Sequence, residues 1–193
     1  MVESIIERTE CMFYALVFYP ELNSELVTGL RKKYDPYYNL IREHITLVFP
    51  VPESVGEEKL HNHIENVLDG YQPFKVHITG YEKSWDNWLF LKVREGKDKL
   101  IQLHDNLYKG ILELYLREDI PYKPHIGLGL FSTETYDPLH PEKLPLDEKG
   151  YQDAVEQMEK FKPDFWRIMN QLSLVKISKD FSQLWEEKTY YLT

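Results

Sequence analysis

The chain has 193 residues, with 32 Asp and Glu against 23 Lys and Arg, a net charge of −9 and a pI near 5.3. This acidic balance argues against a protein that grips long nucleic acid by neutralising phosphates, which takes an extended basic surface, yet it leaves room for a small phosphorylated ligand. The 42% hydrophobic and 28% charged fractions fit a folded globular protein, and the single Cys11 rules out an internal disulfide. The opening MVESIIERTE has no apolar signal-peptide core and no later run approaches a membrane span, so the cytoplasm is the expected compartment.

In chain order, the strand CMFYALVFYP, in which Cys11 reads as a buried structural thiol, leads into a helix over ELNSELVTGLRKKY. Asn23 or Ser24 caps that helix and Asp35-Pro36 stops it. IREHITLVFP is the second strand, and its alternation sends Ile45, Leu47 and Phe49 to one face and His44 and Thr46 to the other. A helix in GEEKLHNHIENVLDG closes at Gly70, and FKVHITGYEK and NWLFLKV form two strands around a turn at Asp86-Asn87. In REGKDKLIQLHDNLYKGILELYL the residues Leu100, Leu103, Leu107, Ile111 and Leu114 recur at helical spacing, which predicts one helix through Leu114. PYKPHIGLGLF is a strand with Pro124 at its start. The proline-rich STETYDPLHPEKLPLDEKG that follows is a long loop, either a cover for a cleft or a connector. A helix around 151–160 and two strands, WRIMNQLSLVKIS and LWEEKTYYLT, complete the chain.

Divided near residue 95, the two parts repeat one order of elements. This predicts an α+β fold of two similar lobes within one domain spanning 1–193. HITL at 44–47 and HIGL at 125–128 then fall at matching places, each on the strand after a helix. In the second, Pro124, Ile126, Leu128 and Leu130 face the core, while Lys123, His125, Gly127 and Gly129 face the other way. Lobes related by a pseudo-twofold axis bring His44 and His125 across one cleft. Two imidazoles flanking a phosphate suit proton transfer, because imidazole titrates near neutral pH and one ring can accept a proton while the other donates one. The Thr46 hydroxyl is a donor for a phosphoryl oxygen.

Together HITLVF and PHIGLGLF, on this order of elements, resemble the 2H phosphoesterase superfamily, which includes 2′-5′ RNA ligase-like proteins and 2′,3′-cyclic phosphodiesterases. RKKYDPYYNLIREHITL is similar to a bacterial branch of it. The resemblance implies two antiparallel sheets with outer helices around a central cleft, one H-x-T/S-x motif on each side, and no metal or other cofactor. It assigns His44 and His125 to acid/base catalysis and Thr46 to substrate binding. Position 127 departs from the pattern, being Gly where the family carries Thr or Ser. Water, a backbone N–H near Gly127, or Lys123 on the same strand face then has to supply the missing donor. The implied ligand is a small nucleotide or an RNA-end phosphate, as a cyclic nucleotide phosphate or a 2′-5′ phosphodiester. The lost hydroxyl admits a second reading, a non-catalytic phosphate- or nucleotide-binding module of the same fold.

VHITG at 76–80 repeats the pattern with His77 and Thr79, beside Lys75, but has no counterpart in the other half and reads as a half-exposed strand face, or else as a stretch of cleft wall in contact with substrate. His61 and His63 lie two apart on a helix and cannot share a metal, and His104 and His140 read as surface residues. Tyr34, Tyr37 and Tyr38, just before the first motif, either pack at a loop edge or stack on a base. Tyr122 faces away from His125 and reads as packed.

Overall fold

The computed structural model describes residues 12–136 and 144–193, so Cys11 and His140 lie outside the described residues. Its elements are β1 (Met12–Phe18), α1 (Glu25–Tyr34), β2 (Ile45–Pro52), α2 (Glu57–Leu68), β3 (Phe74–Lys83), β4 (Trp88–Val93), α3 (Lys97–Leu107), β5 (His125–Leu130), α4 (Glu148–Phe161), β6 (Asp164–Met169), β7 (Gln171–Ser178) and β8 (Leu184–Tyr191). Capping sets two of the helix starts: the Ser24 side chain accepts from the Val27 N–H below α1, and Asp147 accepts from the Gly150 N–H below α4. Among the described residues, no helix is long and apolar enough to cross a membrane.

The strands form two four-stranded antiparallel sheets, ordered β2-β1-β7-β8 and β5-β4-β3-β6. The expected two-lobed α+β fold is present, but the lobes are not the two halves of the chain. The first sheet draws its strands from both ends of the sequence and the second from the middle. The cause lies in WRIMNQLSLVKIS, which is two strands broken at Asn170. β6 pairs with β3 and β7 with β1, so the chain changes sheet there. What repeats is smaller: β1-α1-β2 and β4-α3-β5, each ending in a motif strand at a sheet edge.

The two helices of these repeats are exchanged, with α1 packed against β5 and α3 against β2. Both sheets consequently share one apolar core, in which Leu16, Ile45 and Leu47 of the first sheet join Ile78, Leu91 and Ile126 of the second, together with Val27 and Leu30 of α1 and Leu100 and Leu103 of α3. On its other face the first sheet carries a smaller cluster, including Val17, Tyr19 and Val175, under Leu40, Ile41 and Phe181.

Both motif strands bulge three residues after the histidine. Val17 pairs with Thr46 but Leu16 with Val48, skipping Leu47; Phe90 pairs with Gly127 but Leu89 with Gly129, skipping Leu128. A bulge adds one residue to one strand and so reverses the alternation beyond it. Phe49, expected in the core, is therefore 42% exposed while Val48 is buried. Gly129, expected on the cleft face, turns instead toward α1, where an added Cβ would stand 2.5 Å from the Tyr34 Cβ. Only glycine permits that approach.

Two further expectations are corrected. The helix predicted through Leu114 stops at Leu107, because Gly110 adopts a φ of 66° and opens a 3₁₀ turn that leaves Leu114 94% exposed. His104, expected on the surface, is 4% exposed. It occupies the buried stripe of α3, one turn from Leu100 and next to Leu103, with its ring stacked on Tyr122 at 3.8 Å.

Candidate active site

The segment that delivers His44 is folded around one buried cation. Arg31 donates through Nε to the Asp35 carboxylate at 2.9 Å and through Nη2 to the Ile41 carbonyl at 2.7 Å, with Glu43 3.7 Å from Nη1. Asp35 also accepts from the Tyr37 N–H and Glu43 from the Leu22 N–H. The rigid guanidinium fork can serve several acceptors at once, which is how a loop lacking regular structure holds one shape. At its end the His44 Nδ1 donates to the Arg42 carbonyl at 2.8 Å. A carbonyl only accepts, so the neutral ring carries its proton on Nδ1 and keeps Nε2 basic.

The second half-site repeats the arrangement. The His125 Nδ1 donates to the Lys123 carbonyl at 2.6 Å, the same backward step of two residues and the same tautomer. Phe90 supports this ring at 3.8 Å between centroids, as Tyr19 supports His44 edge-on at 6.4 Å. Tyr122 joins the half-sites, its hydroxyl donating to the Thr46 carbonyl.

The surroundings of the two imidazoles differ in charge. Burial pushes His44 down to about 4, helped by the positive charges of Arg31 and of a protonated His125. Burial lowers His125 as well, but there the carboxylates of Asp86 and Glu82 pull the other way. Each imidazole is therefore neutral at pH 7 in the free protein, and His125 is the better placed to take up a proton.

Of the remaining residues singled out in the sequence, Thr46 pairs with Val17, and its hydroxyl has no partner among the described residues. Gly127 pairs with Phe90, and an added Cβ would rest in ordinary contact with the Trp88 ring at 3.5 Å. Lys123 is drawn aside, its Nζ held 2.8 Å from the Glu82 carboxylate.

The strand NWLFLKV holds three residues whose place at the site escaped notice in the sequence. Leu89, Leu91 and Val93 are buried, which turns Trp88, Phe90 and Lys92 to the face that carries His125. Lys92 is the direct cross-strand partner of His125, and among the described residues it forms no ion pair. Trp88 lies nearly parallel to Tyr37 at 6.5 Å, with Tyr136 edge-on at 5.9 Å. The alternation that would have found these residues was present in the strand. Tyr34 packs on Phe131 and Tyr38 lies under Arg31, so of the three tyrosines Tyr37 alone joins this group.

His77 lies on the same side of the second sheet, two strands from His125, and is fully engaged. Its two ring nitrogens are each 2.5 Å from a carboxylate, Glu95 and Asp164, and the ring stacks on Trp166 at 4.1 Å. His61 bonds the Tyr190 hydroxyl and His63 the Leu107 carbonyl, so the two point apart. No group of three or more His, Cys, Asp or Glu among the described residues is placed to hold a metal ion.

Two edge strands, one opening on His125 and the other directly preceded by His44, each histidine with its Nδ1 tied to the carbonyl two residues back, define a two-histidine class of bilobal α+β proteins. The chain matches the 2′-5′ RNA ligase superfamily over residues 18–173 and belongs to that family, in the bacterial branch of the 2H phosphoesterases. A Bacillus cereus protein named "Putative phosphoesterase" is 31% identical over 130 residues, which cover 64% of this chain and 73% of that one. A protein of the same name from Bacillus licheniformis is 29% identical over 124 residues, 61% of this chain and 70% of its own. Escherichia coli LigT complexed with 3′-AMP superposes with a TM-score of 0.56 at 16% identity, covering 95% of this chain and 98% of that chain. At that identity the likeness is one of fold.

Proposed function

We propose that the protein is a metal-independent phosphodiesterase that hydrolyses a cyclic nucleotide phosphate or a 2′-5′ phosphodiester by two-histidine acid/base catalysis in the cytoplasm. The observation that carries this reading is the matched pair His44 and His125, held in one tautomer by the same backbone bond with Nε2 left for chemistry. Their charge environments favour different roles. His44, lowered by burial and by Arg31, is the base, and His125, with Asp86 and Glu82 nearby, is the acid. Water attacks phosphorus and gives its proton to the His44 Nε2. The bond from phosphorus to the ribose oxygen breaks as His125 Nε2 protonates that oxygen, leaving a phosphomonoester. Each proton transfer is worth about 10²- to 10⁴-fold in rate.

The bound anion favours the protonated form of His125, offsetting its burial. The unpartnered Thr46 hydroxyl and the Lys92 ammonium supply charge-assisted hydrogen bonds to phosphoryl oxygens, with Lys123 in reserve if substrate displaces it from Glu82. To compensate the hydroxyl missing at Gly127, Lys92 has to turn from Gly80, where an added Cβ would stand 3.7 Å from its Nζ, toward the β5 side of its strand. The LigT structures with 3′-AMP, phosphate and NADP+ describe that protein, and they support a small nucleotide or RNA-end phosphate as the ligand here.

Gly127 favours one other reading, a phosphate- or nucleotide-binding module without turnover. The deciding experiment is hydrolysis of 2′,3′-cyclic nucleotides in the presence of chelator by the wild type, His44→Ala and His125→Ala. Turnover lost in both variants supports the enzyme. Ligand binding with no turnover in the wild type supports the module.

A further inference from the structure

The row of residues that contains His44 continues across the first sheet. Phe18 pairs with Ile45 and Val17 with Ser173, and carrying that register on by one and two residues aligns His44, Tyr19 and Gln171. Leu172 points into the core, so Gln171 shares the opposite face with Tyr19. With adjacent strands about 4.8 Å apart, Gln171 stands roughly 10 Å from His44, beyond the span of a phosphate and within the reach of an attached nucleoside.

A cavity of about 450 Å³ opens at this end of the row, where β6 passes into β7, and it is lined by Tyr19, Glu21, Asn23, Ile168, Asn170 and Gln171. Its wall is built deliberately. Glu21 and Asn23 adopt left-handed φ values of 48° and 51°, which turns the carbonyls of Pro20, Glu21 and Leu22 onto the Arg167 guanidinium at 2.8, 3.2 and 3.1 Å. Those bonds, with a fourth from Nη1 to the Trp166 carbonyl, commit most of the Arg167 donors to the main chain. What it offers instead are the side-chain amides of Asn23, Asn170 and Gln171, none of which has a partner among the described residues.

We infer that this cavity is the subsite for the nucleoside portion of the ligand, with Asn170 and Gln171 reading the edge of the nucleobase. An amide presents a donor and an acceptor in one plane, which complements the edge of a base, while the exposed Ile168 side chain offers apolar surface to its face. The Glu21 carboxylate, 3.4 Å from Arg42 at the rim, is an acceptor for a ribose hydroxyl. The volume falls within the range of small-molecule sites. The assignment rests on the proposed function for the position of the phosphate, but the subsite itself is testable without turnover.

The test is a titration of the wild type, His44→Ala and the double variant Asn170→Ala/Gln171→Leu with the four ribonucleosides and, separately, with inorganic phosphate. Nucleosides are expected to bind the wild type and His44→Ala alike. The double variant is expected to lose about tenfold in nucleoside affinity, the worth of two neutral hydrogen bonds, while binding phosphate as the wild type does. Gln171→Glu, which keeps the shape and replaces the donor by an acceptor, is expected to reorder the preference among the four bases. Nucleoside binding unchanged in both variants, or phosphate binding with no nucleoside binding at all, overturns the inference. Nucleoside binding by a protein that hydrolyses none of the 2′,3′-cyclic nucleotides would retire the phosphodiesterase and leave the subsite standing.

Discussion

The hydroxyl of Tyr122 donates to the backbone carbonyl of Thr46 at 2.7 Å. The donor stands three residues before His125 and the acceptor two residues after His44, so one hydrogen bond ties the segment leading into β5 to β2 of the other sheet, close in sequence to both histidines. The ring cannot swing away, because His104 stacks on it at 3.8 Å and Phe49 meets it edge-on at 6.5 Å. Burial pushes the Tyr122 phenol well above its ordinary range, which keeps it a donor at every working pH.

Tyr122→Phe removes that tie and little else. The expected loss is about 1 kcal/mol of stability for a neutral hydrogen bond, measured by urea unfolding, together with a fall in kcat that exceeds the change in KM. An unchanged kcat in a variant that shows the stability loss would mean that the bond does not position the histidines.

The pH dependence of kcat/KM should lie on the acid side of neutrality. His44 must be neutral to accept a proton and becomes so as pH rises through about 4. His125 must be protonated to donate, and burial has moved its loss of a proton below 6.5 in the free protein. The product of the two fractions is a bell between those limits. A rate that keeps rising to pH 8 would contradict the assignment.

The two glycines of HIGLGL should respond oppositely to a methyl group. Gly127→Ala meets Trp88 at 3.5 Å and is expected to fold normally, whereas Gly129→Ala drives a Cβ to 2.5 Å from Tyr34 and is expected to cost about 1–3 kcal/mol of overpacking. Gly127→Thr, which restores the family's hydroxyl, should bind inorganic phosphate several-fold more tightly. Thermal unfolding with phosphate titration on the same three variants checks both statements.

His77 makes stability depend on pH with a definite sign. Burial disfavours its charged form, but the hydrogen bonds to Asp164 and Glu95 outweigh it and raise the ring above its usual 6.5. A raised value in the folded state means that the contribution is complete below 6.5 and disappears as pH climbs through the folded value. His77→Gln should therefore destabilise more at pH 6 than at pH 9. Equal penalties at the two pH values, read from denaturant midpoints, would rule the clamp out.

The helices, the strands and the paired histidines were legible because each rests on local periodicity or on a short motif. HITL and HIGL announce themselves on their own strands. The bulges at Leu47 and Leu128 were not legible, since an unpaired residue is defined by its partner strand, and with them went the true positions of Phe49 and Gly129. The break at Asn170 was hidden for a related reason. β6 and β7 differ in the sheet they join while their composition runs on unbroken. Lys92 was missed although its strand alternates plainly, because its importance comes from standing beside His125 across the sheet. The burial of His104 depends on Tyr122, eighteen positions downstream, and no local pattern contains that.

The exchange of α1 and α3 between the sheets bears on how a ligand gets in. A hinge between the lobes would have to peel α1 from β5 and α3 from β2, uncovering leucines and valines worth roughly 1.5–3 kcal/mol each when exposed to water. The two sheets are in effect cross-laced, and opening them apart costs the burial of those side chains. If the two histidines form the site, a ligand arriving from solvent is expected to meet lobes already in place, with any gating left to the loops at the rim.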